Sequence, residues 1–226
     1  MLKRIPAPRA EELVAEAATV PTSDPRVSYP AWYLHRWHFL PEGYLSRRSA
    51  AWYEHIVRNV YNQGLERRTV RAVVEHLRKI NPTSLLEVGC GPGRMLAATV
   101  RSGVATDRVG LDLSPYLLER ARRKLRGNVA RLVHGNGLAI PSEECAFDAA
   151  LSCHYVGHLP DAIRGSAVAE LTRVLRPGGH LFVVDHRWHA FPGNDALRLV
   201  HSSSRNLGMI RLSIFERLDS PALVPA

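Results

Sequence analysis

The sequence predicts an α/β fold: a mostly parallel, doubly wound sheet with helices on both faces, preceded by a helical N-terminal cap. Three observations carry this. Short apolar runs alternate with helical stretches after residue 83, the first run ends in the turn Gly89-Cys90-Gly91-Pro92-Gly93, and the second ends in the carboxylate Asp112. Strand followed by helix, repeated, implies parallel strands joined by crossover helices that bury both faces of the sheet.

The elements follow in order. Residues 1–28, rich in proline with one short Ala/Glu stretch, are expected to form a flexible, loosely attached arm. Residues 29–80 are expected to form the cap: they are rich in aromatics and His, and Val57, Val60, Tyr61 and Leu65 fall at helical spacing. Asn81-Pro82 ends that helix. Residues 81–226 form the main domain. SLLEV, RVGLDL, ARLVH, DAALS and HLFVVD are its strand candidates, separated by helices near Met95–Arg101, Tyr116–Arg126 and Ala162–Leu175. Beyond them only MIRLSIFERL reads as a good strand before SPALVPA, so the final strand is expected to be short or absent.

Composition bounds the function. With 46% hydrophobic and 23% charged residues the chain is globular, and at 226 residues a single domain with an embellishment is favoured. No apolar run reaches membrane-spanning length and the N-terminus does not read as a signal peptide, which points to a soluble, cytoplasmic protein. Cys90, Cys145 and Cys153 make no C-x-x-C pair and read as reduced thiols. A net charge of +9 favours anionic partners such as nucleic acid, a phosphorylated substrate or an acidic carrier protein. Paired arginines on helices are equally what solvated helix faces carry.

The glycine turn lets a backbone approach a ligand closely. It departs from G-x-G-x-x-G, because its third glycine is Gly93 where that pattern wants one at Arg94. Glu87, just before the turn, would repel a pyrophosphate but suits a ligand bearing an ammonium and a sulfonium. Asp112, about twenty residues on, stands where a carboxylate accepts both hydroxyls of a ribose.

Together LLEVGCGPGRM, GLDLSPYLLERAR, LVHGNGLAIP, FDAALSCHYVGHLPD and LTRVLRPGGHLFVVD resemble the successive motifs of class I S-adenosylmethionine-dependent methyltransferases, especially the small ubiquinone/menaquinone-biosynthesis-like group, over residues 83–186. The resemblance implies a Rossmann-like domain with S-adenosylmethionine as cofactor. Gly89, Cys90, Gly91 and Gly93 would wrap its methionine end, with Glu87 near the amino group, Asp112 on the ribose and Leu113 beside the adenine. Asn136 and Gly137 match positions at the adenine edge, although the family usually has Asp where Asn136 stands.

Methyl transfer is an in-line displacement, so alignment dominates and a base is needed only for a protonated nucleophile. The segment from Ser152 to His158, with Cys153 and Tyr155, is expected to cross the sulfonium side. His154 is the candidate base; His158 is the second catalytic candidate, with structural work at the helix entrance as its other reading. Their spacing lacks the Glu of H-E-x-x-H, so no metal is assigned to them.

The tetrapeptide HRWH occurs around Trp37 and again around Trp188, and both copies are expected near the substrate. Trp37 or Trp188 would pack on an aromatic acceptor while Arg36 or Arg187 meets an anionic group. Ordinary lid packing and a four-histidine metal site are the other readings. The sequence thus points to methylation of O, N or C on a small aromatic or anionic metabolite, with a homodimer possible. RNA or protein methylation is the rival suggested by charge, and a cofactor-binding protein without transfer, pericyclase-like or regulatory, is the rival suggested by Asn136.

Overall fold

The computed structural model describes residues 3–37, 40–56, 65–127, 129–205 and 208–219. Its strands are β1 (Ser84–Val88), β2 (Asp107–Asp112), β3 (Arg131–His134), β4 (Phe147–Cys153), β5 (Leu175–His186), β6 (Leu197–Arg205) and β7 (Ile210–Arg217). Its helices are α1 (Ala7–Ala18), α2 (Arg47–Ile56), α3 (Leu65–Ile80), α4 (Arg94–Arg101), α5 (Pro115–Leu125) and α6 (Asp161–Val174). The strands form one sheet in the order β3-β2-β1-β4-β5-β7-β6. β1 to β5 pair in parallel, and β7 runs antiparallel between β5 and β6. The order reverses between β1 and β4, so the crevice beyond their carboxyl ends is where such a sheet receives a ligand.

Alternation along the strands sends residues to opposite faces. Leu85, Leu151, Phe182 and Val184 pack with Val73 and Leu77 of α3 and Met95 of α4. Leu86, Val88, Ala150 and Val183 pack with Val168 and Leu171 of α6. Each fully buried leucine contributes about 1.5–3 kcal/mol, and these two layers fix the edge on which the site is built. α5 starts at Ser114, whose hydroxyl accepts from the Leu117 N–H at 3.3 Å, with Pro115 in the first turn and Arg122, Arg123 and Lys124 in the last.

Two expectations are corrected. The expected loose arm, residues 1–28, is packed where it is described, from residue 3 on: α1 buries Ala10, Leu13 and Ala17 against Tyr33, Leu45, Tyr116 and Leu117. Spacing of three and four residues puts these side chains on one helix face, and Arg9 adds a 2.6 Å ion pair to Glu42. The sheet is also closed by a full hairpin, β6 with β7. β6 was illegible because it is an edge strand with three serines, an irregular register between Leu199 and His201, and exposed Leu199 and Val200. Val57, Val60, Tyr61, His38 and the terminal SPALVPA lie outside the described residues. Among the described residues no helix is long and apolar enough to cross a membrane.

Candidate active site

The site grows from the ends of β1 and β2. Gly89 and Gly91 have left-handed backbones, at φ 68° and 52°, and a Cβ on Gly89 would stand 2.9 Å from Cβ of Tyr155. Asp112 Oδ2 accepts the Gly91 N–H at 2.7 Å and Oδ1 accepts the Ser114 N–H at 2.8 Å. One carboxylate therefore fastens the turn to the head of α5 while keeping lone pairs for a ligand. Burial lifts its pKa to about 6, against the pull of the Ser114, Gly91 and Leu113 amides. Glu87, 2% exposed, is pushed further, to about 8, by burial and by the neighbouring Asp112 charge. Its Oε2 has no hydrogen-bond partner among the described residues. A buried carboxyl in that condition calls for a proton or a cation.

Two cavities meet here. The first has Asp112, Leu113, Asn136 and Gly137 on one side and the cap residues Trp32, Tyr33, Trp37, Tyr44 and Tyr53 on the other. The second lies on the α3–α4 face, with Glu87, Val70, Met95, Val184 and Ile210 among its walls. Tyr53, Gly89, Gly91, Cys153, His154 and His158 border both. The aromatic cap is self-supporting: Tyr44 contacts Tyr33, Trp37 and Tyr53 at ring separations of 6.1, 6.3 and 5.5 Å. It is also anchored to the sheet. Ser114 Oγ donates to the Tyr44 carbonyl at 2.6 Å, and Glu54 holds Lys124 of α5 at 2.9 Å. His134 Nδ1 accepts the Asp24 N–H at 2.9 Å, and its Nε2 lies 3.1 Å from the Leu113 carbonyl. That pairing places the proton of a neutral ring on Nε2, and burial lowers the pKa in agreement.

Between the cavities stands a group of imidazoles. His154 follows β4 in a left-handed backbone, φ 57°, a conformation that costs a residue with a side chain about 1–2 kcal/mol; its N–H donates to the Val184 carbonyl at 2.8 Å. Asp185, near the end of β5, accepts from the Gly157 N–H at 2.6 Å and lies 2.9 Å from His189 Nδ1 and 3.9 Å from His154 Nδ1. Burial raises the Asp185 pKa, but the His189 hydrogen bond and the adjacent His154 and His158 rings leave it below its ordinary value. The rings of His154 and His186 are 5.3 Å apart and those of His158 and His189 are 6.0 Å apart. Four imidazoles are thus gathered around a single carboxylate.

The structure therefore brings together Glu87, Gly89, Gly91, Asp112, Leu113, Asn136, Gly137, Cys153, His154, Tyr155 and His158. Others stand elsewhere. Gly93 borders neither cavity; its φ of 70° opens α4, and a Cβ there would stand 3.0 Å from Ala121, so it serves helix packing. Cys90 points its sulfur toward Gly110 beneath β2, although it contributes to the second cavity. Tyr155 and Trp37, both expected near the substrate, line the first cavity. Arg187 and Trp188 border neither cavity. The Arg187 N–H donates to the Met209 carbonyl at 2.9 Å, holding the turn to β7, and Trp188, 62% exposed, stacks on the outer side of His186 at 4.3 Å. Sequence reasoning missed Asp185, whose place near the end of β5 parallels that of Asp112 on β2, and missed Tyr44 and Tyr53 in the aromatic cap. Asn136 Oδ1 accepts the Leu138 N–H at 3.0 Å, which leaves its amide hydrogens for the cavity.

Residues 86–183 match the family model for a methyltransferase domain. This segment is a methyltransferase domain. The chain is 32% identical over 124 residues to a demethylmenaquinone methyltransferase of Thermus thermophilus, covering 54% of this chain and 56% of that protein. It is 27% identical over 122 residues to the O-methyltransferase rstn1 of Aspergillus nomiae, covering 52% and 53%. The chain thus spans about half the length of these two relatives. A TehB-like S-adenosylmethionine-dependent methyltransferase from Corynebacterium glutamicum superposes with a TM-score of 0.60 at 20% identity, over 76% of this chain and 100% of that one, a likeness of fold. The buried Glu87 beside the glycine turn, its Oε2 without a hydrogen-bond partner among the described residues, fits a cationic ligand.

Proposed function

We propose that the domain holds S-adenosylmethionine in the first cavity, with its methionine end reaching the edge of the second, and transfers its methyl group to O, N or C of a small aromatic or anionic metabolite in the second. The observation that carries this reading is the common wall of the two cavities, formed by Gly89, Gly91, Cys153, His154 and His158. In this reading the nucleoside lies in the first cavity, with Asp112 on the ribose hydroxyls and Leu113, Asn136 and Gly137 on the adenine, and the methionine end passes Gly89 and Gly91 to bring its amino group to Glu87 in the wall of the second cavity. When bound, the cofactor supplies an electrophilic methyl group on a sulfonium. His154 accepts the proton of the acceptor, and Asp185, 3.9 Å from its Nδ1, stabilises the imidazolium that results. The aromatic cap covers the cofactor and excludes water, and Tyr53, which borders both cavities, is the part of it that reaches the acceptor.

Mass spectrometry of the small molecule retained on purification, followed by an S-adenosylhomocysteine-release screen with phenols, amines and quinone precursors, tests the proposal. Uptake of S-adenosylmethionine and release of S-adenosylhomocysteine with at least one acceptor are expected. Uptake without release across that panel would sink transfer and leave a binding protein.

A further inference from the structure

The second cavity does not end at its apolar walls. Val70 of α3 and Arg94 of α4 border it and also border an open groove of about 780 Å³ between those two helices. The rails of that groove are cationic: Arg67, Arg71 and Arg78 come from α3, Arg94 and Arg101 from α4, and Lys124 from α5. Its floor is small and apolar, from Val74, Ala97 and Ala98. The carboxylates facing it are Glu75 and Glu54, and Glu54 is already bridged to Arg120 and Lys124.

Among the described residues Arg67, Arg71 and Arg101 have no acidic partner within ion-pair distance. Arg94 opens α4 and Arg67 lies in the first turn of α3, positions where the helix dipole disfavours a cation. Helix stability therefore does not account for Arg67 and Arg94, whereas Arg78 and Arg101, in the last turns of α3 and α4, stand where the dipole favours a cation. The two helices are aligned at their far ends, where Arg78 donates to the Ser102 carbonyl at 3.4 Å. From Val70 at the cavity mouth to Arg78 the groove runs about 12 Å, eight residues at the helical rise.

On this geometry, and resting on the proposed transfer reaction, we infer that the acceptor carries a phosphate-rich anionic tail that lies in the α3–α4 groove while its aromatic head enters the second cavity through the gap between Val70 and Arg94. Planar guanidinium groups match phosphate oxygens in pairs, and an open basic groove also draws such a substrate in from solution. The apolar floor accommodates the linker between head and tail.

Calorimetry on the intact protein at about 0.1 M salt tests this with two probes: inorganic pyrophosphate, and a phenol joined to a diphosphate by a six-carbon chain. The phenol-bearing probe is expected to bind at least tenfold more tightly than pyrophosphate. Arg71→Ala and Arg101→Ala should each weaken both probes several-fold while S-adenosylmethionine affinity stays within twofold, and Val70→Trp should weaken the phenol-bearing probe alone. Equal affinity for the two probes, or arginine variants that bind like wild type, overturns the inference. An RNA oligonucleotide that displaces pyrophosphate from these arginines with tenfold higher affinity also overturns it, in favour of nucleic-acid docking. Failure of wild type to take up S-adenosylmethionine, with pyrophosphate still bound, overturns the transfer reading beneath it instead.

Discussion

The amide N–H of Gly157 donates to Asp185 Oδ2 at 2.6 Å, and a Cβ at position 157 would collide with the same carboxylate. Glycine is required there by crowding. Gly157→Ala is expected to push Asp185 away from His154 and His189, lowering methyl-transfer kcat about 10- to 100-fold and stability by about 1–3 kcal/mol. Asp185→Asn, which keeps the acceptor for that N–H, should lower kcat with little change in stability or in S-adenosylmethionine affinity. Homocysteine-release kinetics beside thermal melts separate the two effects; an unaltered kcat in both variants removes Asp185 from the mechanism.

Asp112 and Glu87 give a pH signature. Their folded pKa values, about 6 and about 8, lie above the ordinary carboxyl range because both are buried. The folded protein without cofactor therefore holds protons that the unfolded chain gives up, and its stability falls as pH rises from about 4 to about 8. Melting temperatures should decline across that window, and Glu87→Gln should flatten the upper part.

Binding a cation reverses the preference of Glu87. At pH 7 the uptake of S-adenosylmethionine should release up to about one proton from this residue, and affinity should rise from pH 6 to about pH 8, above which the ligand's own ammonium deprotonates. Calorimetry in buffers of different ionisation enthalpy measures the released proton directly. Identical heats in all buffers contradict the placement of the amino group at Glu87.

Replacing Asp112 by Ala removes the acceptor for the Gly91 and Ser114 amides as well as the ribose contact. Cofactor affinity should fall at least tenfold, in line with about 1.5–3 kcal/mol for hydrogen bonds to a charged group. Fluorescence or calorimetric titration is sufficient, and an affinity equal to wild type excludes the assigned ribose site.

Leu13 of α1 is fully buried. Leu13→Ala should therefore cost about 2–5 kcal/mol, as in other closed cores, measured by urea denaturation. A cost near zero restores the loose-arm reading of residues 1–28.

The central sheet was legible because its signals are local and repeated. β1, β2 and β4 end in a glycine turn, a carboxylate and a histidine segment, and a parallel sheet carries all three to one edge. What failed depended on partners distant in the chain. α1 packs through small residues, Ala10 and Ala17, with only Leu13 and a partly buried Val14 as larger apolar side chains, and β6 pairs as an edge strand with nearly no apolar alternation. The second HRWH run was placed correctly beside the pocket edge, yet only its histidines turn inward; Trp188 and Arg187 are carried outward as the chain leaves β5. Asp185 was passed over because a lone acid at a strand end acquires meaning only once Gly157 and His189 stand against it.

The aromatic roof over the first cavity comes wholly from residues that precede β1, whereas the carboxylates and glycines beneath it come from the sheet. Leu40, Tyr53, Ile56, Thr69 and Val70 of the second cavity precede β1 as well, so much of the wall proposed to meet the acceptor is written apart from the carboxylates and glycines proposed to hold the methyl donor. Grafting the leading stretch of a sister protein onto this sheet should exchange the preferred acceptor while the donor is retained, so new specificities are accessible by recombination at a single junction near Asn81.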